Sequence, residues 1–148
     1  MKKPRSRHQT QWTAQFAAAS ELCKRGYQVA LTLGNHPTVD LMVVSPSGKQ
    51  FLVDVKGQYR RNFWPVKRRP KSNDLFYVLA FVPDDGPNRF FVMTNEQVEQ
   101  AIEANIAAWR ARRAAKGIAE KPGDLDSWTG VDERIARQNE NAWGVLPK

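Results

Sequence analysis

Apolar and polar positions alternate along this chain with two distinct periods, and the switches between them mark the elements. Over residues 9–25, "QTQWTAQFAAASELCKR", Trp12, Phe16, Ala19 and Cys23 recur at helical spacing. This pattern predicts a helix with that face against the core. Gly26 follows basic residues, as a helix stop should. Three short runs then read as strands: 27–33 (YQVALTL), 39–45 (VDLMVVS) and 50–57 (QFLVDVKG). The links "GNHP" and "PSGK" are turn chemistry, and links this short fit an antiparallel meander rather than parallel crossovers.

Downstream, 58–74 is basic and broken by Pro65 and Pro70, which predicts a loop with at most a short edge strand near "FWPVKR". The run 75–82, "LFYVLAFV", is the most apolar in the chain and is expected to be a central strand, with "PDDGPN" turning it into a second hairpin strand at 89–93. Thr94 and Gln97 have the spacing of a capping box and open a long helix to about Lys116. "KGIAEKPGD" breaks that helix. A short helical run near 131–140 follows, with Trp128 and Trp143 expected to pin the tail to the body. The fold class is α/β, a mixed sheet with an N-terminal helix and a long C-terminal helix. Residues 1–8 read as a basic tail and 117–148 as a C-terminal extension of a single domain.

The length of 148 residues suffices for one domain with a proper core. No apolar run approaches bilayer length, and the basic N-terminus is not followed by a signal-peptide core, so a cytoplasmic protein is expected. A single cysteine excludes an internal disulfide framework and a Cys-based zinc cage. The formal charge of +8 is uneven. Residues 1–25 are basic, 56–71 (KGQYRRNFWPVKRRPK) carry no acid, and the remainder is net acidic. Such a footprint is that of a polyanion binder, and Tyr59, Phe63 and Trp64 interleave the second cluster with rings able to stack on bases. The competing reading is a solvated basic surface.

Against that basicity, two acids stand inside strand-like runs. Asp54 and Lys56, two apart, project to one side while Val53 and Val55 face the other. Pairing 39–45 with 50–57 through the turn at 46–49 brings Asp40 opposite Asp54–Lys56. Two converging carboxylates repel, and a hard divalent cation such as Mg2+ relieves the conflict. Lys56 would then stand beside the cation, placed to assist an attacking water and to stabilise charge on a phosphorane.

The arrangement Asp40 … Asp54-Val55-Lys56, on adjacent strands after a first helix, resembles the PD-(D/E)xK, or restriction-endonuclease-like, nuclease superfamily. The likeness covers residues 9–57 and extends loosely over 75–116. It implies a restriction-endonuclease-like core and a Mg2+-dependent endonuclease acting on DNA, duplex or branched, with Mn2+ as an alternative ion. It also implies Asp40, Asp54 and the Val55 carbonyl as metal ligands, Lys56 as the group assisting the nucleophile, and a Glu or Gln of the first helix as a further site residue. Gln15, on the border of the apolar stripe, is better placed for that last role than Glu21, whose carboxylate is the better ligand but falls on the solvent face. Two departures stand out. Val39 precedes Asp40 where the family often has Pro, and no helix pattern follows the Lys56 strand.

Arg60, Arg61, Lys67, Arg68, Arg69 and Lys71 are the expected phosphate contacts, and six such contacts on duplex DNA give a log–log salt slope of roughly −5. His36 reads as an exposed turn residue, Asp84 and Asp85 as turn formers, and Cys23 as a core residue. The cations around Trp109 complement a helix C-terminus or meet a second strand of DNA. A homodimer would allow two strands to be cut, with "LFYVLAFV" or the long helix as its interface. The alternative from another class is a non-catalytic nucleic-acid-binding or regulatory protein, in which Lys56 alone neutralises the acids.

Overall fold

The computed structural model describes residues 3–36, 39–60, 62–126 and 129–148. Helix α1 (Arg7–Lys24) starts earlier than its apolar period suggests, because Ser6 and Gln9 form a capping box. The Ser6 hydroxyl accepts from the Gln9 amide at 3.1 Å, and the Gln9 side chain accepts from the Ser6 amide at 2.9 Å. Residues 7 and 8 are therefore helical rather than part of a tail. Arg5 is also tied down, donating to the Val82 carbonyl at 2.7 Å and pairing with Asp84 at 2.8 Å.

The buried face of α1 corrects the expected one. It consists of Thr10, Ala14, Gln15, Ala18 and Leu22, whereas Phe16 and Cys23 are exposed. Trp12 stacks on Phe16 outside the core, with ring centroids 5.5 Å apart. Close approach of the sheet is the reason. A Cβ added at Gly57 would sit 2.7 Å from the Ala14 Cβ and 3.0 Å from the Thr10 carbonyl oxygen. Only the alanine face of α1 fits at that separation, so the bulky face turns outward.

Strands β1 (Gln28–Leu31), β2 (Leu41–Val44) and β3 (Gln50–Gln58) form the expected antiparallel meander, with Leu41 opposite Val53 and Val44 opposite Gln50. After β4 (Phe63–Pro65), strand β5 (Leu75–Phe81) returns parallel to β3, and β6 (Arg89–Thr94) pairs antiparallel with β5. The five-stranded mixed sheet thus runs β1-β2-β3-β5-β6. Residues 75–80 of β5 are buried. "LFYVLAFV" is consequently spent inside the sheet and offers no dimer surface, contrary to the expectation above.

Alternation sorts the sheet's side chains onto two sides. Val53, Val55, Val78 and Ala80 meet α1 through Ala14, Ala18 and Leu22. Tyr77, Leu79, Phe91 and Met93 meet helix α2 (Asn95–Ala115) through Val98, Ala101, Ile102 and Ile106. The capping box at Thr94 and Gln97 opens α2 as its sequence predicts. Strand β4 pairs with β7 (Gly130–Asp132), which leads into the short helix α3 (Glu133–Ala136). Trp143 and Leu146 join the α1-side core, and the Tyr27 hydroxyl donates to the Pro147 carbonyl at 2.9 Å. Trp128 lies outside the described residues. Among the described residues no helix is long and apolar enough to cross a membrane.

Candidate functional site

Strand β3 outruns its neighbour. The register between β2 and β3 ends at Leu41 and Val53, while β3 continues to Gln58 with only its β5 edge paired. The other edge must find partners elsewhere, since a half-buried peptide group without one is costly. Side chains supply them. The Val55 amide donates to Asp40 Oδ2 at 2.8 Å, the Val55 carbonyl accepts from Gln11 Nε2 at 2.7 Å, and the Gly57 amide donates to Gln11 Oε1 at 3.3 Å. Gln15, one turn further along α1, donates through Nε2 to Asp40 Oδ1 at 3.0 Å. Both Asp40 oxygens are thereby fixed at the point where the two strands part.

On the same stretch Asp54 and Lys56 share a face, their apolar neighbours Val53 and Val55 being fully buried on the other. The Lys56 Nζ lies 3.1 Å from Asp54 Oδ1, and the Arg69 guanidinium bonds Asp54 Oδ2. Asp54 is 1% exposed. Burial pushes its pKa up to about 6; the Lys56 and Arg69 charges oppose the shift, and the Asp40 charge adds to it. Arg69 also lies over the Tyr77 ring, 5.9 Å from its centroid, and burial pushes the Tyr77 phenol up as well.

The structure therefore brings Asp40, Asp54, Lys56, Gln15 and the Val55 backbone together. Glu21 stands apart, paired with Lys24 and Arg25. Gln11 and Arg69 are the two site residues whose place here the sequence reading missed. Gln11 carried a usable signal, four residues before Gln15 and so on the same helix face. Arg69 carried none, because it reaches Asp54 from an irregular loop.

The basic segment behaves differently from a free cationic surface. Arg68 pairs with Glu99 and Glu103 of α2, Lys71 with Glu96 at 3.5 Å, and Arg69 with Asp54. Arg60 lies over the Tyr59 ring at 5.0 Å, Lys67 is exposed, and Arg61 lies outside the described residues. A second basic surface stands on the opposite flank of Lys56. There Arg5, Arg7, His8, Gln11, Lys56 and Tyr59 border a cleft of about 590 Å3, with no acid among its described lining residues.

Among the described residues no group of three or more His, Cys, Asp or Glu side chains is placed to hold a metal ion. The two aspartates and the Val55 carbonyl are hard oxygen donors, the type that Mg2+ accepts while keeping several waters. An entering cation would exchange with donors already present, namely Lys56 and Arg69 on Asp54 and Gln11 on the carbonyl. Comparisons with protein-family models, with curated proteins and with solved structures found no match for the chain.

Proposed function

We propose that this protein is a metal-dependent endonuclease of the PD-(D/E)xK type, hydrolysing phosphodiester bonds in DNA. The carrying observation is the convergence of Asp40 and Asp54–Lys56 where β2 and β3 part, with Asp40 held by Gln15 and by the Val55 amide. Asp40, Asp54 and the Val55 carbonyl would hold Mg2+ or Mn2+, which when bound supplies positive charge at the phosphoryl oxygen. Lys56, partly exposed at the rim, would orient the water that attacks phosphorus and offset charge on the non-bridging oxygens as one P–O bond breaks. Gln15 keeps the Asp40 carboxylate in a single orientation. The protein's +8 charge favours a polyanionic substrate. With Arg68, Arg69 and Lys71 engaged by acids, and Arg5 and Lys56 likewise, Arg60, Lys67 and Arg7 of the cleft are left for phosphates.

One observation favours a second reading. All four oxygens of the two aspartates already have partners, and two cations neutralise Asp54. A non-catalytic nucleic-acid-binding protein would need no more. Incubating supercoiled and branched DNA with Mg2+ or Mn2+, for the wild type and for Asp54→Ala and Lys56→Ala, separates the two. The nuclease requires metal-dependent nicking that falls by about two orders of magnitude or more in each variant while binding persists. Tight binding without nicking on any substrate establishes the second reading.

A further inference from the structure

The flank of α1 beside the acidic site carries a feature the proposed chemistry leaves unused. His8, Trp12 and Phe16 are four residues apart and lie along one side of the helix. Trp12 and Phe16 are stacked, 25° from parallel, and Phe16 is 55% exposed. An exposed phenylalanine backed by a half-buried tryptophan, on a helix whose alanine face takes the core, offers an apolar platform at the surface. At its N-terminal end it meets the cleft bordered by Arg7, His8, Gln11 and Lys56.

We propose that cleft and platform together bind an unpaired stretch of nucleic-acid strand, with phosphates in the cleft and a base on the Trp12–Phe16 pair. Charge sets the first half. Arg5 is held by Val82 and Asp84, so its guanidinium stands fixed at the cleft wall, while no ion pair engages Arg7 or His8 among the described residues. Lys56 borders both the cleft and Asp54, so a strand lying in the cleft passes the acidic site. The second half follows from ring access. Tyr59 already has the Arg5 and Arg60 guanidinium groups 5.0 Å from its centroid, whereas Phe16, beside the cleft, is open to solvent. A base inside a duplex presents no face to such a platform. A cationic groove beside exposed rings is the general means of holding single strands.

This inference rests on the proposed nuclease only in placing a phosphate near Lys56, and binding tests it without cleavage. Fluorescence anisotropy in EDTA compares a labelled oligothymidine of about fifteen nucleotides with the matching blunt duplex. The single strand should bind about ten-fold more tightly, and Phe16→Ala should lose roughly five- to a hundred-fold of that affinity while leaving duplex binding unchanged. Arg7→Ala should lower the single-strand salt slope by about 0.7. Binding should quench tryptophan fluorescence, with the quench reduced in Trp12→Phe. Equal affinity for the two forms, or Phe16→Ala binding as tightly as the wild type with an unchanged circular dichroism spectrum, overturns the inference. Incubating the wild type and Phe16→Ala with supercoiled and branched DNA in Mg2+ alongside separates the two proposals. Single-strand binding through Phe16 without nicking keeps the platform and removes the nuclease, whereas nicking indifferent to Phe16 does the reverse.

Discussion

Arg69 and Asp54 are fifteen residues apart in sequence, and the guanidinium of the one closes on the buried carboxylate of the other. Arg69 comes from a loop whose neighbours Arg68 and Lys71 pair with glutamates of α2, so the loop is moored on both sides of the contact. The cation therefore stands on an oxygen that a divalent ion would need.

Arg69→Ala removes one of the two charges on Asp54 and leaves that side chain short of a partner. In EDTA the variant should unfold at lower urea, by about 1.5–3 kcal/mol, the usual worth of a hydrogen bond to a charged group. Calorimetric titration should show Mn2+ binding at least about ten-fold more tightly than to the wild type, because the competing cation is gone. An unchanged urea midpoint together with unchanged Mn2+ affinity would refute the idea that Arg69 occupies the ion's place.

Asp54 also makes stability depend on pH in an unusual direction for a carboxylate. Below the ordinary value of 3.8, folded and unfolded chains both hold the proton. Between there and about 6 the unfolded chain releases it while the folded chain keeps it, so the folded state binds more protons and its stability falls as pH rises. Above that window the penalty is constant. Asp54→Asn removes this titration, although Lys56, Arg69 and Asp40 still face the position. Urea midpoints measured without metal from about pH 4 to 7 should show the wild type losing ground to Asp54→Asn across the window. Parallel curves would show that burial does not govern this carboxylate.

How far the sequence reached depended on whether a feature was periodic or a matter of proximity. The meander, the second hairpin and the long capped helix were legible, because alternation, turn residues and the Thr94–Gln97 box are local signals. The positions of Asp40, Asp54 and Lys56 followed from strand geometry and the short turn. The buried face of α1 did not. Its aromatic and alanine stripes both have helical spacing, and the choice between them is made by how closely β3 approaches at Gly57. The same holds for the basic loop. Composition shows seven cations in 56–71, but only the fold shows that Arg68, Arg69 and Lys71 find acids on β3 and α2.

The misread face has its own test at Cys23. A thiol in the core reacts with a disulfide reagent only when the protein opens, whereas an exposed one reacts in the native state. Cys23 is exposed, so it should titrate fully with such a reagent without denaturant. Cys23→Ser should change stability by no more than about 0.5 kcal/mol, as for other surface positions. Slow labelling that accelerates in urea would return Cys23 to the core.

Gly57→Ala probes the contact that sets this geometry, and the sign of its effect decides the matter. Alanine ordinarily stabilises a strand relative to glycine by about 0.5–1 kcal/mol, because the unfolded chain has less freedom to lose. Here the new Cβ would meet the Ala14 Cβ at 2.7 Å and the Thr10 carbonyl oxygen at 3.0 Å, neither of which is the end of a flexible side chain. The variant should therefore lose about 1–3 kcal/mol, the usual cost of overpacking. Pairing it with Ala14→Gly removes one of the two clashes, so the double-mutant cycle should show favourable coupling of at least about 0.5 kcal/mol despite the cost of glycine in a helix. The displacement also reaches the site. Gly57 donates its amide to the Gln11 side chain that holds the Val55 carbonyl, so pushing α1 outward draws Gln11 and Gln15 off β3 and Asp40 together. If the proposed chemistry is right, metal-dependent nicking by Gly57→Ala falls even under conditions where the protein remains folded. A gain in stability on Gly57→Ala would mean that α1 and β3 do not approach this closely, and that another contact turns Trp12 and Phe16 outward.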